Sequence, residues 1–159
     1  MARKATKAAD SIYYLARMDA AKCNDALNSR EGASEAIGID RTRLARIELG
    51  SLDPYPEEVL LMSDTYNAPE LCNQYCSEQC PLGKHTTLPI EVAELDRLTL
   101  QVLSSFNKVS AIKETLLDIA ADGVITEEER PELDEVLNGL DLISSNAQSL
   151  KLWAEKNLR

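Results

Sequence analysis

The amino-acid sequence predicts an all-α protein: a five-helix domain over residues 10–82, a linker at 83–89, and a long antiparallel two-helix hairpin over residues 90–157. Three observations carry this expectation. Apolar residues recur three or four apart through most of the chain, and few runs alternate with the period of two that a half-buried strand requires. Only six glycines and six prolines interrupt the 159 residues. The composition, 44% hydrophobic and 28% charged, suits a folded chain that buries one or two modest cores.

The elements follow in order. Residues 1–9 are small and basic and are expected to fray. From Asp10, the segment DSIYYLARMDAAKCNDALN reads as a helix with Ile12, Leu15, Met18 and Cys23 inward and Tyr13 and Tyr14 at the core edge. The second helix opens at Ser29, whose hydroxyl can accept a free backbone N–H, and carries Ala33, Ala36 and Ile37 inward. Gly38 ends it. Ile39 is expected to plug the corner, Asp40 to cap the third helix, and Leu44 and Ile47 to face the core, which leaves Arg41, Thr42, Arg43 and Arg46 outside. Gly50 supplies a left-handed stop, and SLDPYP is turn chemistry. Pro56 suits the first turn of the fourth helix, Glu57 and Glu58 suit its dipole, and Val59, Leu60, Met62 and Tyr66 make its inward stripe. Asn67, Ala68 and Pro69 end it and begin a fifth, PELCNQYCSEQC, which stops at Pro81.

Beyond the linker, Val92, Leu95, Leu98, Val102, Phe106, Val109, Ile112, Leu116 and Ile119 predict one long amphipathic helix from Pro89 to Asp122. Its partner runs from about Glu127 to Asn157 on Leu133, Val136, Leu140, Ile143, Ala147, Leu150 and Ala154, the alternating steps of a coiled-coil seam. Pro131 lies too deep for an unbroken helix from Thr126, so a kink or a short first turn is expected. Two such hairpins would form a four-helix bundle, and residues 90–157 are therefore the expected homodimerisation element.

The stretch G-I-D-R-T-R-L-A-R-I-E-L-G, residues 38–50, resembles the lambda-repressor and Cro-like helix-turn-helix family, over roughly Ser11 to Ala68. Ile47, Glu48 and Gly50 match its I-E-x-G pattern. The resemblance implies that the third helix enters the major groove of double-stranded DNA, with Arg41 and Thr42 reading base edges and Arg46 doing so one turn later. Arg30, at the start of the second helix, is implied as a phosphate contact, and Arg43 and Ser51 complete the expected phosphate set. The sequence departs from the family at Gly32, which should cost about 1 kcal/mol relative to alanine inside a helix, and at Ala33, where the family prefers leucine. The segment CNDALN reads as a short insertion.

Two clusters resemble metal sites. Cys72, Cys76 and Cys80 fall four apart, which puts the outer pair ~12 Å apart on a straight helix, too far to share one zinc. At most Cys76, Cys80 and His85 could share an ion. The segment DIAADGVITEEE resembles half of an EF-hand loop through Asp118, Asp122 and Glu129, yet Ala120 replaces a direct ligand. Gly123 as a helix stop and Thr126 with Glu129 as a capping box account for the same residues. No metal or other cofactor is expected.

The net charge of −10 opposes DNA binding until it is divided by region. Residues 1–50 hold nine Lys or Arg against seven Asp or Glu, residues 51–80 none against six, and residues 81–159 eight against fourteen. The acid lies outside the helix-turn-helix, so weak non-specific affinity is the expected consequence. No apolar run follows MARKATK and none reaches the ~18 residues of a membrane span, which with four cysteines expected to be reduced predicts a cytoplasmic protein. An enzyme is not expected: the sequence has no nucleophile-and-base pair, no glycine-rich phosphate loop, and one histidine, in the linker. The leading expectation is a repressor-like transcriptional regulator that binds an inverted-repeat operator as a homodimer. The alternative is an acidic interaction module, an antirepressor or adaptor, that does not read DNA.

Overall fold

The structure, a computed structural model, describes residues 7–121 and 123–158. The expected fraying of residues 1–6 and the candidate ligand Asp122 lie outside them. All regular structure among the described residues is helical, and the chain divides into two compact units, up to Thr87 and from Leu88. The boundary falls inside the stretch predicted as a linker.

The first unit holds α1 (Ile12–Ala20), α2 (Arg30–Ile37), α3 (Arg41–Glu48), α4 (Pro56–Tyr66), α5 (Glu70–Glu78) and the single turn α6 (Gly83–Thr86). A 3-10 turn at Lys7–Asp10 precedes α1 and buries Ala8, so residues 7–9 do not fray as expected. The core is continuous, with Leu27, Ala33, Leu44, Ile47, Met62 and Leu71 at its centre.

Three sequence expectations fail here. Helix α1 stops at Ala20, and its buried residues are Tyr13 and Arg17, whereas Leu15 and Cys23 are exposed. The reason is long-range: Arg17 is drawn inward by Glu48, 31 positions along the chain, and its helix turns with it. The end of the segment read as one helix is instead a second 3-10 turn, Asp25–Asn28, opened by Asn24, whose side chain accepts the N–H of Ala26, and it seats Leu27 in the core. Ala36 and Leu60 face solvent, and α4 buries Val59, Met62, Ser63 and Tyr66 instead.

Gly32 looked costly in the sequence, but a Cβ there would come within 2.1 Å of the Ala26 carbonyl oxygen. Only glycine lets the 3-10 turn pack on the first turn of α2, and that close approach offsets the loss of helix propensity.

The second unit holds α7 (Leu95–Phe106), α8 (Val109–Ile119) and α9 (Arg130–Asn157). The helix predicted from Pro89 to Asp122 begins only at Leu95 and breaks at Asn107–Lys108. At the break the Ser105 hydroxyl donates to the carbonyls of Gln101 and Val102, and the Lys108 N–H reaches Ser105 O, three residues back, instead of four. Such a hydroxyl competes for the ladder and bends the helix. The capping box expected to start the next helix does not form: the Thr126 N–H and hydroxyl both donate to the Glu129 carboxylate, and α9 starts only at Arg130, with Pro131 in its first turn.

Helices α7 and α8 run antiparallel to α9. The Asn146 side chain donates to Gln101 O and Ser105 Oγ, and seven residues earlier Gly139 meets Ile112, where a Cβ would lie 2.7 Å from Ile112 Cδ1. The seam on α9 is therefore Val136, Gly139, Ile143, Asn146 and Ser149. Leu140 and Ala147, expected on it, are exposed.

Candidate nucleic-acid interface

The α2–α3 pair is built from its caps. Ser29 Oγ accepts the Gly32 N–H at 3.0 Å and opens α2. Gly38, at φ 80°, closes it with its N–H on Ser34 O. The Ser34 hydroxyl donates to Ile39 O at 2.6 Å and fixes the corner, with the Ile39 side chain buried beneath. Asp40 Oδ1 then accepts the N–H groups of Thr42 and Arg43 at 2.9 and 3.0 Å and opens α3. Helix α3 buries Leu44, Ile47 and Glu48, while Arg41, Thr42 and Arg46 are exposed.

Beneath that surface lies a buried ion cluster. Glu48 has no exposed side-chain surface and Arg17 only 3%. Arg17 donates through Nε and Nη2 to the two carboxylate oxygens at 2.5 and 3.1 Å, and through Nη1 to the carbonyl of Leu27 at 2.8 Å. Burial alone would lower the Arg17 pKa; the hydrogen bond and charge of Glu48 outweigh it and hold the guanidinium above its ordinary value. Arg30, at the start of α2, adds a second cation on Glu48 Oε2 at 2.7 Å. One carboxylate thus ties α1, α2 and α3 together, with both of its oxygens accepting from charged donors.

The remaining expected phosphate contacts are also engaged. Arg43 donates through Nε and Nη2 to both oxygens of Glu58 on α4, and its guanidinium carbon lies 4.3 Å from the Tyr55 ring centre. Glu58 also accepts the Tyr55 N–H at 2.7 Å, which satisfies a free donor at the start of α4. The hydrogen bond from Arg43 holds the Glu58 carboxyl below its ordinary pKa in spite of its burial. The Ser51 hydroxyl donates to Arg46 O and finishes the C-terminal end of α3. Arg41 pairs with Glu31 of α2 at 2.6 Å, both side chains more than 60% exposed. Of the residues singled out in the sequence, Arg41, Thr42 and Arg46 form the open surface, whereas Arg30 and Arg43 are half-buried beside their carboxylates. Sequence reasoning missed Arg17, Glu31, Tyr55 and Glu58. A charged residue four after Tyr13, on the same helical face, was the available signal for Arg17.

Among the described residues no three His, Cys, Asp or Glu side chains lie close enough to hold a metal ion. Cys72, Cys76 and Cys80 are half-buried and unbridged, and burial, then the neighbouring cysteines, push the Cys76 thiol above its ordinary pKa. That keeps it protonated and a poor ligand or nucleophile. No helix among the described residues is long and apolar enough to cross a membrane. Comparison of the chain with family models, curated proteins and solved structures found no match.

Proposed function

We propose that the protein is a sequence-specific, repressor-like transcriptional regulator: the first unit reads double-stranded DNA through a lambda-repressor-like helix-turn-helix, and the second pairs two copies. One observation carries the reading. Helix α3 buries Leu44, Ile47 and Glu48 and turns Arg41, Thr42 and Arg46 outward, after a corner fixed by Gly38, Ile39 and Asp40. Such a helix, eight residues long and held from behind by an ion cluster, can enter a major groove about 12 Å wide and offer arginine to guanine O6 and N7. A single module of this kind has a small footprint, so pairing through the second unit supplies affinity and demands an inverted-repeat operator.

Arg41 is the principal base reader. To reach guanine it gives up Glu31, an exchange between exposed groups that costs little. Arg30 contributes positive potential at the start of α2. Replacing Arg41 by alanine should lose about 1 to 3 kcal/mol on the cognate duplex and relax preference at one base pair per half-site, with little change on random duplex. Equal losses on both duplexes would contradict the assignment of roles. No loss on either would remove DNA from the reading and favour the acidic interaction module, which draws on the six acidic and no basic residues at 51–80 and on exposed Leu60 and Leu61 beside Glu57 and Asp64.

A further inference from the structure

One flank of the second unit's helix pair is both uncovered and apolar. On α9, at 100° per residue, Leu137, Leu140, Ser144 and Ala147 lie on one side of the seam, and all four are exposed. The opposite side carries Ser145, whose hydroxyl donates to Pro89 O, so the 88–94 segment meets it beside α7, while beside α8 it is an open groove whose rim is polar, with Asn107, Lys108, Glu132, Glu135 and Asn138. Because α7 and α8 run antiparallel to α9, residues displaced from their own seams in the same rotational sense fall on the same open flank. These are Leu103, Phe106, Val109 and Leu117, each 44–60% exposed. With Leu137 and Leu140 they present apolar surface on the order of 500 Å², near the upper end of what a monomer leaves open and most of the ~800 Å² per partner that a stable interface buries.

The charge on α9 selects the occupant and its direction. Its residues 130–141 carry Glu132, Asp134, Glu135 and Asp141 against Arg130, whereas residues 142–157 carry Lys151 and Lys156 against Glu155. A parallel copy would set acid on acid. An antiparallel copy sets each acidic half on a basic one, and does so twice, as a two-fold axis requires.

Resting on the homodimeric reading above, we propose that two copies pair through this flank with their α9 helices antiparallel, crossing near Ser144. Small residues at the crossing let the helices approach. Leu140 packs on the partner's Ala147, large against small. Leu137 lies under the stem of the partner's Lys151, whose ammonium reaches Asp134 and Asp141.

Single cysteines introduced into the full-length protein test this, with cross-links formed under mild oxidation and located by peptide mapping. Ser144→Cys should link to itself, Leu137→Cys should not, and a mixture of Leu137→Cys with Lys151→Cys should link 137 to 151. Lys151→Glu should weaken self-association at least tenfold, and mixing it with Asp141→Lys should restore pairing. Self-linking of Leu137→Cys would show parallel helices and overturn the proposal. A dimer by sedimentation that gives neither the 144 nor the 137–151 link would overturn the flank while leaving the proposed function standing. A strictly monomeric wild-type protein at high concentration would overturn both.

Discussion

The two units solve the same problem, packing short amphipathic helices, to different degrees. The first closes on itself: thirteen buried apolar residues form one cluster, and two charged residues buried beside it, Arg17 and Glu48, satisfy each other. The second, among its described residues, fully buries the apolar side chains of Leu98, Ile119 and Val136, sets Ser105, Gly139, Asn146 and Ser149 in its seam, and leaves many large apolar side chains in water. On the proposed reading, the closed core holds a recognition surface rigid, and the apolar exterior of the other unit is what a second copy would cover.

The largest effect should come from breaking the closed unit at its ion cluster. Glu48→Ala leaves Arg17 buried and unpaired, and should cost about 3 to 5 kcal/mol in chemical denaturation. A loss below ~1 kcal/mol would mean that the cluster does not hold the three helices together. Next comes a matched pair of truncations. Leu44→Ala, in the core of the first unit, should cost about 2 to 5 kcal/mol, whereas Leu100→Ala, 68% exposed in the second, should change stability by less than ~0.5 kcal/mol. Similar losses at both positions would erase the contrast between the units.

A smaller effect belongs to the Arg43–Glu58 pair. The folded-state pKa of Glu58 is depressed, so its contribution is complete above the ordinary carboxylate pKa and is lost as pH falls through the lower, folded value. Glu58→Gln should therefore flatten the acid limb of the stability profile below about pH 4 to 5 and lower stability at neutral pH. An unchanged limb would assign that limb to other carboxylates. The smallest effect is expected at Tyr66, whose hydroxyl is buried without a hydrogen bond among the described residues. Burial, then the charge of Glu48, raises its pKa, so it stays neutral. Tyr66→Phe should be neutral or stabilise by up to ~1 kcal/mol, because it removes a desolvated group that gains nothing. A clear destabilisation would imply a partner for that hydroxyl.

What the sequence made legible was what neighbours in the chain decide. Ser29, Gly38, Asp40 and Pro56 each sit at the helix boundary that their own chemistry requires, and the exposed trio on α3 follows from Leu44 and Ile47 alone. What it hid were decisions made from afar. Periodicity put Leu15 in the core, yet Tyr13 and Arg17 went in because Glu48 lies below them. Arg43 looked as free as Arg46 until α4 brought Glu58 beside it. The break between α7 and α8 hid behind an unbroken apolar stripe, since a serine hydroxyl turned back on its own helix leaves no mark in the spacing. In α9 the heptad was visible but its face was not: with two candidate stripes, a polar Asn146 and a Gly139 occupy the inner one.

The most direct test of the account is selection of bound sequences from random duplex DNA by the full-length protein, carried out at several salt concentrations. A closed reading unit paired by an open one predicts enrichment of an inverted repeat, with half-sites centred one helical turn or a multiple of it apart. Failure to enrich any sequence at any salt concentration would contradict the account.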